Sequence, residues 1–99
     1  MHKPIVWSPL SENDFANILD YLDKNWDSTV ALNFIELTEQ LLNQIALNPR
    51  QFPIQYKRKK IRKCVLTRHN SLFYREGKNN IEILRIYDTR QDPINLTFK

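Results

Sequence analysis

Hydrophobic residues in the first half of the chain recur at helical spacing. Ser8 followed by Pro9 predicts a helix that begins with Ser8 as its N-cap, and it is expected to end near Asn25. Ser11 and Asp14 also have the spacing of a capping box, so a start one turn later is a second possibility. The apolar stripe consists of Phe15, Ile18, Leu19, Leu22 and Trp26.

A second helix is predicted directly after the first. Asp27 or Ser28 can cap its start, and Asn48 before Pro49 ends it, because a residue that precedes proline is pushed out of the helical region. Its stripe consists of Val30, Phe34, Leu37, Leu41, Leu42 and Ile45. The short connection between the helices predicts an antiparallel helical hairpin.

The second half alternates between apolar and polar positions, as strands do. Strands are predicted at residues 61–67, 72–75 and 81–87, with a further short strand at 4–7, a loop at 50–60 and an edge strand or tail at 94–98. The predicted order is β-α-α-β-β-β. We therefore expect an α+β fold, with the helical hairpin on one face of a small antiparallel sheet and the other face partly open to solvent or a partner. Trp7 and Trp26 are expected to anchor the helices to the sheet.

Charge is distributed unevenly along this pattern. Residues 1–49 carry two basic and seven acidic side chains, a net charge of −5, whereas residues 50–99 carry thirteen basic and four acidic ones, a net charge of +9. Six of the seven residues at 57–63 are cationic. By itself such a run is often a solvated surface without a ligand, but its density also favours an anionic partner such as a phosphate backbone or an acidic protein segment.

The composition narrows the class of protein. The 99 residues are expected to form one domain, and no internal repeat is visible. A single cysteine, Cys64, excludes an internal disulfide and zinc sites built on cysteine pairs, and a single glycine, Gly77, excludes a glycine-rich phosphate loop. No cofactor or metal is predicted. The N-terminus lacks the apolar core of a signal peptide and no apolar run is long enough to span a membrane, so a cytoplasmic location without membrane contact is expected.

Several segments, in this order, resemble the RelE/ParE superfamily, the toxins of type II toxin–antitoxin modules. They are the opening Trp7-Ser8-Pro9, the helical hairpin, and residues 61–66, 71–75 and 83–93. The resemblance implies one of two activities on one fold: RelE-like members cleave mRNA in the ribosomal A site, and ParE-like members poison DNA gyrase. It also implies a cognate antitoxin whose flexible segment lies over the toxin.

Ribonucleolytic cleavage needs a base, an acid and cations that hold the scissile phosphate. The resemblance places Arg58, Lys60 and Arg90 near basic positions of the nuclease branch. Tyr87 and His69 are the candidates for proton transfer, although His69 is also readily interpreted as a solvent-exposed turn residue.

Two departures from the nuclease pattern favour the other branch. RelE-like nucleases commonly have an arginine where this chain has Ser71, and they often end with a tyrosine or histidine, which the end of this chain lacks. We therefore favour a ParE-like toxin that binds an essential target such as gyrase, with a ribosome-dependent mRNA endonuclease as the alternative and a fold member that only binds its antitoxin as a third. The predicted residues for binding nucleic acid or an acidic, apolar antitoxin segment are Arg58, Lys59, Lys60, Arg62, Arg85 and Arg90.

Overall fold

A computed structural model describes residues 3–88 and 97–98. A short strand comes first in the chain, followed by two helices and then four strands. The elements are β1 (Ile5–Trp7), α1 (Pro9–Asn25), α2 (Ser28–Leu47), β2 (Ile54–Tyr56), β3 (Ile61–Thr67), β4 (Asn70–Glu76) and β5 (Ile81–Asp88).

Short-range side-chain contacts set the ends of both helices. Ser8 has an extended backbone and its Oγ accepts a hydrogen bond from the Ser11 backbone N–H at 3.0 Å, which makes Ser8 the N-cap of α1. The start one turn later, at Ser11, is therefore wrong. Asp27 caps α2 in the same way, with its Oδ1 3.1 Å from the Val30 nitrogen, and Asn48 is the C-cap.

The five strands form a mixed sheet in the order β1-β5-β4-β3-β2. The predicted α+β fold with a helical hairpin on one sheet is confirmed, but the sheet is not wholly antiparallel. β1 pairs with β5 in parallel, with Ile5 opposite Ile81 and Trp7 opposite Ile83, whereas the other three pairings are antiparallel. A parallel partner requires a long crossover, and here the crossover contains both helices and three strands.

The predicted loop at residues 50–60 contains the edge strand β2. Ile54 pairs with Arg62 of β3, and the Lys63 N–H donates to the Pro53 carbonyl at 3.0 Å. The strand has only three residues and follows Pro53, so it is too short for alternation to reveal it.

The main core lies between the helices and the sheet. Fully buried residues of α2 and the strands meet there, among them Ile45, Cys64, Leu72 and Ile83. Trp7 packs on this core as predicted, with its ring 5.2 Å from that of Phe15.

Trp26 does not anchor the helices to the sheet, so that prediction is wrong. The residue is 68% exposed and forms the C-cap of α1 with a non-helical backbone (φ −127°, ψ −108°). The apolar spacing of α1 therefore extends in the sequence to Trp26, one residue beyond Asn25, the last residue of the helix.

The second face of the sheet carries a smaller apolar cluster. Ile61, Phe73 and Leu84 are buried in it, and Tyr87 and Phe98 pack against them. This face was expected to be partly open, and Phe98 of the chain itself covers part of it. Of the segment 94–98, only Thr97 and Phe98 lie within the described residues.

Candidate partner-binding surface

Four consecutive cations form the turn between β2 and β3. This segment, Lys57–Lys60, is called the basic turn below. The Lys60 backbone N–H donates to the Lys57 carbonyl at 3.2 Å, and Lys60 has a left-handed backbone with φ 55°. All four side chains are exposed, and none has a hydrogen-bond or ion-pair partner within residues 3–88 and 97–98. Arg58, Lys59 and Lys60 of the predicted site therefore lie together as a positive charge that no described residue compensates.

Lys63 extends this charge onto the second face of the sheet. It lies directly opposite Phe73 in the β3–β4 pair, so the two side chains share one face. Lys63 is half-buried, and its ammonium has no ion-pair partner in the described part of the chain. Sequence reasoning did not single out Lys63 as a binding residue.

Arg62 points to the opposite face and has a structural contact. Its Nη1 donates to the carbonyls of Phe52 at 2.7 Å and Arg50 at 3.2 Å. The guanidinium thus holds the segment that joins α2 to β2 against β3. Its pairing partner in β4 is Tyr74, a fully buried residue of the main core. A binding role for Arg62 stays a prediction, but the side chain lies apart from Lys63 and the second face.

Arg85 is also engaged within the protein. Its guanidinium forms a bidentate ion pair with Asp14, with Nε–Oδ2 at 2.7 Å and Nη2–Oδ1 at 2.9 Å, and its Nη1 donates to the Thr97 carbonyl at 2.9 Å. Hydrogen bonding to Asp14 is the main cause that raises the pKa of Arg85 above its ordinary value. Its charge is thus balanced locally, and its role in binding an anionic partner stays a prediction. Arg90 lies outside the described residues.

Several other cations outside the basic turn are paired with carboxylates. Lys3 and Arg50 both contact Glu76, at 3.0 and 3.2 Å, and their hydrogen bonds lower the pKa of that carboxyl. Arg75 pairs with Glu82 at 3.2 Å. Since these charges are compensated, the basic turn and Lys63 form the densest unpaired positive charge of the described chain.

The two candidates for proton transfer lie apart from the basic turn. His69 is exposed in the turn between β3 and β4, where its backbone N–H donates to the Thr67 Oγ1 at 3.2 Å. The seven residues of β3 separate that turn from the basic turn, a distance of about 20 Å along an extended strand. Tyr87 lies on the second face, near the His69 end of the sheet, with its ring 6.5 Å from that of Phe73.

Residues 5–93 match the family model described as the ParE toxin of the type II toxin–antitoxin system parDE. The chain belongs to the ParE toxin family. A toxin of this kind has an antitoxin as its partner. Within the described residues, neither helix of this ParE-family chain combines the length and apolarity needed to cross a membrane.

The fold of this ParE-family chain is shared with a solved structure described as "Chromosomal ParDE TA system from P. aeruginosa". The TM-score is 0.67 at 19% sequence identity, and the alignment covers 88% of this chain and 96% of that chain. This likeness shows that the two chains share the fold. No curated protein matches the sequence.

Two buried groups of this ParE-family chain are unsuited to act as bases near neutral pH. Burial raises the pKa of the Cys64 thiol to about 11 and that of Tyr74 to about 12. The Tyr74 hydroxyl donates to the Pro49 carbonyl at 2.6 Å and is therefore engaged within the fold.

An aromatic group next to the basic turn was missed by sequence reasoning. Tyr56 directly precedes the turn, and its ring lies 6.0 Å from Phe73 and 5.3 Å from Phe98. Phe73 and Phe98 are 5.5 Å apart. We call Tyr56, Phe73 and Phe98 the aromatic triad. The position of Tyr56 just before the cationic run was a usable signal, but nothing local in the sequence indicates that Phe98 reaches this face.

Proposed function

We propose that this ParE-family toxin acts by binding an essential target, and that an acidic antitoxin segment neutralises it by covering the basic turn and Lys63. The supporting observation is that the four cations of the basic turn, which have no partner among the described residues, lie at the opposite end of β3 from His69. A surface of this kind can hold an anion, but among the described residues it has neither candidate proton-transfer group beside it.

The family resemblance makes DNA gyrase the first target to test. Positive charge accelerates encounter with an acidic surface and gives most affinity when nearby apolar groups are buried in the same contact. The basic turn lies beside the aromatic triad, so both contributions come from one surface.

A ribosome-dependent mRNA endonuclease is the second candidate. Arg58 and Lys60 in the basic turn are suited to hold phosphate, and Tyr87 lies on the same face of the sheet as Lys63. In that mechanism Tyr87 or His69 would transfer the proton and Arg90 would contribute charge.

Induction of the protein in cells, followed by two measurements, separates the candidates. Trapped gyrase cleavage complexes with a DNA-damage response and intact mRNA would support the binding toxin. Codon-phased mRNA 5′ ends inside reading frames would instead establish the nuclease. Absence of growth arrest would indicate a member of the family that only binds its antitoxin.

The same assay is informative with point variants. Tyr87→Phe removes only the hydroxyl, and His69→Gln removes the imidazole from an exposed turn. Undiminished growth arrest by both variants is expected for a toxin that acts by binding. A loss of arrest with either variant, in a protein that still folds, would favour the nuclease.

A further inference from the structure

We propose that Tyr56 and Phe73 of the aromatic triad form an anchor site, which Phe98 occupies in the free toxin. In the complex, an extended acidic antitoxin segment occupies this site with an aromatic side chain of its own. This inference rests on the proposed neutralisation by an antitoxin and names the subsite and the residue type that it takes.

The floor of the site is preformed. Ile61, Phe73 and Leu84 are buried at 0%, 3% and 5% exposure, and Phe98 packs on them from above. Phe98 contacts Tyr56 and Phe73 edge to face, with interplanar angles of 63° and 72°, which is a favoured arrangement of aromatic rings. A partner's phenylalanine or tyrosine can make the same contacts.

The backbone contact of the tail indicates how such a segment would be aligned. The Thr97 carbonyl accepts from Arg85 Nη1 at 2.9 Å, and the next residue, Phe98, supplies the ring. The other two guanidinium nitrogens of Arg85, Nε and Nη2, donate to Asp14, so we expect Arg85 to stay in place when Thr97 leaves. A partner carbonyl one residue before its aromatic side chain can therefore replace the Thr97 carbonyl without rearrangement of the sheet.

Charge around the site determines which partner fits. Lys63 lies opposite Phe73 on the same face, and the basic turn follows Tyr56 directly in the chain. An acidic segment gains attraction from these unpaired cations. The tail itself lacks this attraction within the described residues, because Thr97, which precedes Phe98 in the chain, is uncharged.

Displacement of Thr97 and Phe98 is expected to require little free energy. Within the described residues, Thr97 and Phe98 are held by one hydrogen bond and the contacts of one partly buried ring. Such a segment opens at a small fraction of the free energy of global unfolding. Because Phe98 competes for the site, its removal is expected to tighten partner binding by the inverse of the fraction of time for which the site is vacant.

Two short acidic peptides test the inference on the full-length chain by calorimetry. One carries a central Thr-Phe pair, and the other is identical except that alanine replaces the phenylalanine. The phenylalanine peptide is expected to bind the wild-type protein at least about tenfold more tightly. Phe98→Ala is expected to bind this peptide roughly three- to tenfold more tightly than the wild type does.

A second variant keeps the test valid if Phe98→Ala folds poorly. In Phe98→Trp, addition of the phenylalanine peptide should shift the fluorescence emission to longer wavelength by more than it does in the wild type, which contains only Trp7 and Trp26, because the introduced ring is released into water. Equal affinity of the two peptides, no binding by either, or binding with an unchanged emission would each overturn the inference.

The outcome is separable from that of the proposed function. Growth arrest on induction of the wild-type chain tests the toxin directly. Arrest without any preference for the phenylalanine peptide would overturn the anchor site and leave the toxin function intact.

Discussion

Asp14 in α1 and Arg85 in β5 are 71 positions apart in the sequence and form a bidentate ion pair on the sheet edge. The side chains are only 11% and 14% exposed. Asp14 Oδ2 also accepts the Ile86 backbone N–H at 3.0 Å, and the Ser8 Oγ donates to the Leu84 carbonyl at 2.8 Å. β1 pairs with β5 only as far as Ile83, so the start of α1 satisfies backbone groups that a longer strand would have bonded.

The first prediction concerns this ion pair. Asp14→Asn keeps the shape of the side chain but leaves the partly buried Arg85 without a counter-charge, so the free energy of unfolding is expected to fall by about 2 kcal/mol. Asp20→Asn in the same helix is the matched control, because its pair with Lys24 is exposed at 64% and 71% and is expected to contribute less than about 0.5 kcal/mol. Urea denaturation measures both. Equal losses would mean that the Asp14–Arg85 pair contributes no more than a surface contact.

The second prediction concerns pH. Hydrogen bonds from Lys3 and then Arg50 lower the pKa of Glu76 in the folded protein. A lowered folded-state pKa means that the stabilisation is present above the unfolded-state value, about 4.3 for Glu, and is lost as the pH falls through the folded-state pKa. The difference in unfolding free energy between the wild type and Glu76→Gln should therefore shrink as the pH is lowered from 6 towards 3. Lys3→Met should weaken this pH dependence, and a constant difference across the range would contradict the assignment.

The third prediction separates backbone strain from charge in the basic turn. Lys60 has φ 55°, a left-handed conformation that glycine adopts without the steric cost of a Cβ. Lys60→Gly is expected to leave the free energy of unfolding unchanged or raise it by up to about 1 kcal/mol, and the melting temperature should follow. Lys59→Gly removes the same charge at a position without a positive φ and should lower it slightly. Thermal unfolding by circular dichroism distinguishes them, and a larger loss for Lys60→Gly would contradict the prediction.

The fourth prediction concerns antitoxin binding. Replacement of Lys57, Lys59 and Lys63 by Ala should weaken the complex with the cognate antitoxin, by up to about 1 kcal/mol for each residue. It should also make the affinity less dependent on salt. Arg62 is left unchanged because its contacts with the Phe52 and Arg50 carbonyls support the fold.

Cations elsewhere provide the control for this change. Arg68 and Lys78 are exposed and lie in other turns, so Ala at both positions reduces the net charge with the basic turn left intact. An equal loss of affinity per charge in the control and in the triple variant would indicate a general charge effect and would remove the basic turn from the interface.

The elements that sequence predicted well are those set by neighbouring residues. Ser8, Asp27 and Asn48 act within a few positions of the helix ends that they define, so local patterns were sufficient. β3 was predicted with its observed bounds because its alternation persists over seven residues.

The contacts that sequence did not predict join distant parts of the chain. Alternation placed Arg62 and Lys63 on opposite faces but did not say which face the helices cover. Nothing near Arg85 indicates that its partner is Asp14 in α1. In the same way, the contact between Phe98 and Phe73 depends on where the chain returns to the sheet.

The short edge strand β2 has a consequence for the behaviour of the free toxin at high concentration. Among the described residues β2 is an outer edge of the sheet, where Ile54 and Tyr56 are 43% and 41% exposed, and such an edge is a template for pairing with a second strand. Two copies meeting along this edge would bring their basic turns close together, and the mutual repulsion opposes such pairing. We therefore expect the same lysines and arginine, proposed above to attract an acidic partner, also to oppose assembly of the toxin with itself.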